Sequence, residues 1–278
     1  GIRDSVASRG LGDVYKRQPM SHRAPRNSLF MSSYFSKTSR LGRVNTGSVA
    51  QRLADTPGVA RTILDAARAA RGTPGADPRA MSHSWLFTGP PGSGRSLAAL
   101  DFAAALMCTD SEEPGCGRCE ACQAVLDAKQ HTDLVLVDPQ EVIIPVDTVR
   151  EVIGRAASLP TVAPWRVVIF NNADRLNNNG ANALLKTVEE PPARTVIIMC
   201  APSDAPEDFS QTLRSRCRHL YIPSPSVESI TAQLVSEGAS DHDAHLAALT
   251  SLRHVGRARR LVNDPAVQKR RAVAINLA

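Results

Sequence analysis

Aromatic residues are scarce in this chain, 4% of 278 residues, and no apolar run approaches the roughly 20 residues that a bilayer-spanning helix requires. A membrane partner is therefore not expected. No secretory signal is read in these residues either, and the cytoplasm is the expected compartment. Disulfides are rare there, so six cysteines, four of them clustered, point to a metal instead. The seven histidines show no ligand spacing. What remains is ordinary for a globular protein: 42% hydrophobic and 22% charged residues, with length for one large or two modest domains. Alanine and arginine are abundant, as in proteins of GC-rich bacterial genomes. The formal net charge of +6 is moderate and partly N-terminal, so it does not by itself make a nucleic-acid surface.

Residues 1–18 read as foreign to the fold. Ser8–Gln18, SRGLGDVYKRQ, is what a transposase sequencing adapter yields when translated in frame, which leaves Met20 or Met31 as the native start. Residues 19–47, rich in Ser, Arg and Asn without apolar periodicity, are expected to be disordered. Helical spacing sets in at Val49 and continues to Ala70. Strands are expected at Trp85–Thr88, Leu134–Val137, Val167–Phe170, Thr195–Cys200 and Leu220–Ile222. Helices are expected at Leu97–Leu106, Ala121–Lys129, Val146–Ala157 and Ala181–Val188, and the chain is purely helical from Val227 onward (Ser229–Glu237, His242–Leu252, Ala258–Val262). This alternation predicts an α/β fold, a doubly wound parallel sheet of P-loop type over 48–222. A small helical domain follows over 223–278.

Gly89-Pro90-Pro91-Gly92-Ser93-Gly94-Arg95-Ser96 stands between an expected strand and an expected helix, where a phosphate-binding loop belongs. Glycines there let backbone N–H groups cradle phosphate oxygens, and the hydroxyl holds Mg²⁺. Arg95 occupies the lysine position, and a planar guanidinium does not replace a compact ammonium at a fitted phosphate site. After Val167–Phe170 an ATPase needs two acids, and this chain has Asn171 and Asn172. An amide is no general base and a weak ligand for a hard cation. Asp174 is expected to start the following turn. Hydrolysis of ATP·Mg²⁺ in cis is thus not expected.

Cys108, Cys116, Cys119 and Cys122 form C-x7-C-x2-C-x2-C, with room for four thiolates around one tetrahedral ion and none for water. A structural zinc in a knuckle between two helices is the expected cofactor. Arg216, in Ser215-Arg216-Cys217, is either a solvated charge or an arginine supplied in trans to a neighbour's γ-phosphate. Glu189-Glu190 before Pro191-Pro192 is expected to end a helix rather than to do acid–base work. Cys200 and Cys217 are expected in packing roles.

Taken in order, the loop, the four-cysteine module, Asn182–Pro192 (NALLKTVEEPP) and Thr212–Cys217 (TLRSRC) resemble the AAA+ subunits of the bacterial clamp loader. Without the motor subunit's lysine and acidic pair, the chain is most similar to the delta prime branch of that family, of actinobacterial type. The resemblance implies Cys108, Cys116, Cys119 and Cys122 as zinc ligands, a non-hydrolysing Gly89–Ser96 loop, and Arg216 presented to ATP on an adjacent motor. It implies a stator in a ring with gamma/tau and delta subunits, which loads the sliding clamp onto primed DNA in replication. The chain would have no independent catalysis inside the DNA polymerase III holoenzyme. Two places depart from the pattern: Cys200-Ala201-Pro202 lacks the motor's threonines, and in His254-Val255-Gly256-Arg257 the sensing arginine is displaced by one. The family's collar domain is not expected within these residues. The other readings are an active gamma/tau-like ATPase, with Asp174 or Glu189 as the acid, and a zinc-bearing nucleic-acid binder.

Overall fold

The computed structural model describes residues 47–110 and 112–264; the expectations for residues 1–46 and 265–278 lie outside them. The strands are β1 (Ser84–Thr88), β2 (Leu134–Val137), β3 (Arg166–Phe170), β4 (Thr195–Ala201) and β5 (Arg218–Tyr221). They form one parallel sheet in the order β2-β3-β4-β1-β5. Trp85, Phe87, Val167, Ile169, Val196 and Ile198 pack on one face, and their neighbours Leu86, Val168, Phe170, Ile197 and Met199 on the other. Successive side chains point to opposite faces, so a strand buried on both sides must be apolar throughout. Only β5, at the edge, alternates half-buried with exposed residues.

Helices α1 (Val49–Arg52), α2 (Pro57–Ala70), α3 (Arg95–Met107) and α4 (Glu120–Leu126) lie on the first face, and α5 (Val146–Ala156), α6 (Asn178–Glu189) and α7 (Gln211–Arg214) on the second. The helical run expected from Val49 to Ala70 is split. The chain turns near Asp55 and restarts with Pro57, whose missing N–H costs nothing in a helix's first turn. Every residue of α3 from Ala98 to Met107 is buried, Asp101 included. Arg52 meets that carboxylate at 2.5 Å. Burial lifts the Asp101 carboxyl to about 6 against the pull of Arg52. Three further helices, α8 (Val227–Ser236), α9 (Asp241–Thr250) and α10 (Val255–Asn263), share a core of their own around Ile230, Leu234, Ala247 and Ala258. Ser229 in α8 donates to the Asp55 carboxylate. The expected α/β fold with a helical C-terminal part is the fold the chain adopts.

A buried charge holds the entry to β3. Asp133 accepts the backbone N–H groups of Thr161, Val162 and Ala163 at 2.7, 2.8 and 2.9 Å, and Arg166 at 3.0 Å. The guanidinium also caps the end of α5 through the Arg155 and Ser158 carbonyls, at 2.5 and 3.0 Å. Burial pushes the Asp133 carboxyl up, but these donors outweigh it and bring it to about 2. A carboxyl depressed in the folded state stabilises above its unfolded pKa near 3.8, and this is lost as pH falls toward 2. Asp133→Asn should cost about 3–5 kcal/mol at pH 7, because it leaves Arg166 buried without a counter-charge. In urea titrations the gap to the parent chain should narrow between pH 4 and pH 2; a gap that does not change with pH would refute this account.

Candidate functional site

The phosphate loop leaves β1 and enters α3 through two left-handed glycines, Gly92 at φ 88° and Gly94 at φ 90°. Residues with a β-carbon resist that region. Gly89 is constrained by space instead. A β-carbon there would lie 2.3 Å from the Ile222 carbonyl oxygen and 2.5 Å from Ser93 Oγ. Arg95 opens α3 with its side chain folded back. One amino group donates to the Gly89 carbonyl at 2.6 Å and the other to Asn172 Oδ1 at 3.4 Å. The segment expected to bind phosphate is thus a glycine turn joining β1 to α3, and its cation is engaged by the loop itself and by the β3 end. Pro90 and Pro91 form its exposed tip, and Ser96 sits half-buried in the first turn of α3.

Asn171 and Asn172 both face this corner. Asn171 donates to Asp138 at 3.5 Å, while its own Oδ1 and the Ser93 hydroxyl are buried without a partner. Asn172 adopts φ 51°, a left-handed conformation that asparagine tolerates better than most residues. Asp174 is exposed in a short 3-10 turn and lines a surface cleft with Glu207 and Asp208. The carboxylate beside the strand end is Asp138, after β2, which the sequence pattern did not single out. Cys200 lies at the core end of β4, where burial pushes its thiol up to about 12. Burial does the same to Cys217, which packs against the second core.

His254 closes the loop from the helical side. It caps α10 by accepting the Arg257 N–H at 3.3 Å, and its Cγ lies 2.3 Å from where a β-carbon on Gly92 would be. Only a glycine allows that approach. Burial first, then Arg257, Arg260 and Arg95, lowers the pKa of the imidazole, which favours its neutral form. The sequence marked this stretch for a displaced arginine. In the structure Arg257 is exposed, and the histidine is the residue on the phosphate loop.

The four cysteines come together as expected. Their sulfurs lie within 4.8 Å of one another, and Cys108 and Cys119 are 3.9 Å apart. Tetrahedral ligation at 2.3 Å per zinc–sulfur bond needs an edge of about 3.8 Å, so the set fits such an ion with small adjustments. The Cys119 and Cys122 N–H groups point at Cys116 and Cys119 sulfur, at 3.4 and 3.5 Å, and would support thiolates. The neighbouring Cys122 thiol, with backbone N–H groups and Arg71, pulls the Cys108 thiol well below its usual range against burial. Arg71 binds the carbonyls of Ala105, Cys108 and Asp110 at 3.4, 2.8 and 2.7 Å, placing a cation at the C-terminus of α3. Val49 N–H meets the Gly115 carbonyl at 2.8 Å. Gly115, at φ 77° with Val49 2.4 Å from its would-be β-carbon, has no room for a side chain.

Arg216 follows α7 on the far side of the sheet, half exposed. Its Nε donates to Glu189 Oε1 at 2.5 Å. Glu189 is the last residue of α6 and Glu190 its C-cap, so the pair does end the helix, but Glu189 also holds an arginine. Spacing along the chain carried no hint of that contact between two separate motifs.

Known proteins similar to this chain include subunits of DNA polymerase III. A family model described as DNA polymerase III, delta subunit, matches residues 75–226. The delta prime subunit of DNA polymerase III from Pseudomonas aeruginosa is 36% identical over 165 residues, 57% of this chain and 49% of that protein. The Escherichia coli delta prime subunit is 34% identical over 170 residues, 60% and 50% of the two chains. The gamma/tau subunit of Mycobacterium tuberculosis is 33% identical over 170 residues, 59% of this chain and 29% of that one. The chain thus spans about half the length of its delta prime relatives. Among solved structures, the RuvB Holliday junction branch migration motor of Thermotoga maritima aligns over 74% of this chain and 60% of that one, at 16% identity and TM-score 0.47. On the family model, which covers more than half of the chain, and the delta prime relatives, the chain belongs to the delta prime family of DNA polymerase III clamp-loader subunits.

Proposed function

We propose that this chain is a non-hydrolysing stator of the clamp loader, working in the cytoplasm beside gamma/tau and delta subunits to place the sliding clamp on primed DNA. The observation that carries this reading is Arg95, whose two amino groups are turned onto Gly89 and Asn172. A hydrolytic site needs a cation free to follow the β/γ-phosphates and acids at the strand end. Here the strand end offers two amides. Arg216, at the surface of the opposite layer, is the arginine we assign to ATP bound on the neighbouring motor subunit. There it would stabilise charge that develops on the transferred phosphoryl group. The four-cysteine knuckle is assigned a structural zinc held by Cys108, Cys116, Cys119 and Cys122, which would cross-link α3 to α4 without taking part in chemistry.

The second reading, a gamma/tau-like ATPase, draws on the 33% identity to the mycobacterial gamma/tau subunit. ATP turnover separates the two. The purified chain alone should hydrolyse no ATP, with or without primed DNA and clamp; robust turnover by the isolated chain would overturn the stator reading. In the reconstituted complex, Arg216→Ala should lower ATP turnover by about tenfold or more, given the 10³–10⁵-fold scale of an arginine finger. The variant should assemble as the parent does, and unchanged turnover would remove Arg216 from that role.

Metal analysis of the purified chain should return one zinc ion per chain. Cys119→Ser should lose it and lower the unfolding midpoint, since ligation of a structural zinc is itself folding free energy. Retention of both metal and stability by that variant would contradict the assignment.

A further inference from the structure

Glu189 is an acid in an unfavourable place. It ends α6, where the helix dipole disfavours negative charge, and Glu190 follows it directly. The side chain that answers it is Arg216, from a segment 27 residues away. The guanidinium is held on two edges. Its Nε is on Glu189 at 2.5 Å, and one amino group is on the Thr212 carbonyl at 2.8 Å and the Ser215 hydroxyl at 3.2 Å. Among the described residues nothing accepts from the second amino group. The base beneath is fixed as well: Leu213 is fully buried, and Arg214 pairs with Asp204 at 2.6 Å.

We infer that Glu189 is a positioning residue for Arg216: its carboxylate locks Nε, so that the guanidinium presents the remaining amino group to an anion on a neighbouring subunit. This rests on the proposed trans role of Arg216 and adds the group that aims it. An unrestrained arginine samples many rotamers, and each that points elsewhere lowers the fraction of encounters in productive geometry. Both partners are partly exposed, at 36% and 46% of their side-chain surface. An ion pair in such a setting adds little to global stability, so its effect should appear in turnover and not in unfolding.

The test uses the reconstituted clamp loader carrying this chain as parent, Arg216→Ala, Glu189→Ala, Glu189→Gln, or both alanine changes together. Glu189→Ala should lower kcat for ATP hydrolysis by about threefold to tenfold, a fraction of the arginine's own contribution. KM for ATP and the chain's melting temperature should stay at parent values. Glu189→Gln, which keeps an oxygen acceptor for Nε, should recover most of the loss. The double variant should be no slower than Arg216→Ala alone, because two residues acting as one unit are not additive. A parent or raised rate in Glu189→Ala would overturn the inference, the raised rate meaning that Glu189 masks the arginine. A double variant slower than Arg216→Ala would also overturn it, by giving Glu189 a separate role. If Arg216→Ala itself leaves turnover at the parent rate, the trans-arginine reading falls and takes this inference with it. A slow Arg216→Ala beside an unaffected Glu189→Ala removes the inference alone.

Discussion

Burial of the sheet on both faces is the constraint from which the rest of the geometry follows. Parallel strands cannot be joined by hairpins, so each connection must cross over a face. Every strand then ends at the same rim, and the loops leaving β1, β3 and β4 meet there: Arg95 reaches Asn172 at 3.4 Å, and the Gly89 N–H bonds the Pro202 carbonyl at 3.2 Å. Residues more than a hundred positions apart become one corner because Leu86, Val168, Ile197 and their neighbours must leave water on one face while Phe87, Ile169 and Ile198 do so on the other. The alanine-rich α3, buried from Ala98 to Met107, can lie close against the first face, and its N-terminus delivers the loop to that rim.

Most of this architecture was legible in the sequence, because continuous apolar runs bounded by Gly, Pro and Asn specify buried strands and their ends. The phosphate loop and the cysteine knuckle were legible for a related reason: each is a local pattern whose spacing encodes its geometry. What the sequence could not display are pairings across motifs. Asp101 with Arg52, Asp133 with Arg166, and Glu189 with Arg216 are each invisible until the fold brings them together. His254 belongs to the same class. It lies in the stretch that resembles a sensing motif, yet its contact with Gly92 depends on how the helical part meets the loop.

Geometry also prunes readings that proximity invites. Thr88 Oγ1 lies 2.6 Å from His219 Nε2, with Asp204 beyond it, an order that suggests a nucleophilic triad. Thr88 is 2% exposed, and the carboxylate stands 3.9 Å from His219 Nδ1, beyond hydrogen-bond range. Asp204 is instead engaged by Arg214 at 2.6 Å. The arrangement ties the end of β1 to β5 and fixes α7, with no accessible nucleophile for chemistry.

Arg95 and Arg216 differ in how the protein uses their donors. A guanidinium carries five donors in a rigid fork, so its role depends on how many of them the protein uses. Arg95 spends both amino groups inward, on Gly89 and Asn172, and a group so engaged can brace a loop but cannot follow a phosphate through a reaction. Arg216 spends Nε and one amino group, on Glu189, Thr212 and Ser215, and keeps the other for whatever approaches its surface. The chain thus carries the same side chain in two states, one closed over the Gly89–Ser96 loop and one with an amino group still open at the surface, and that asymmetry is what supports the proposal that Arg216 rather than Arg95 serves a bound phosphate.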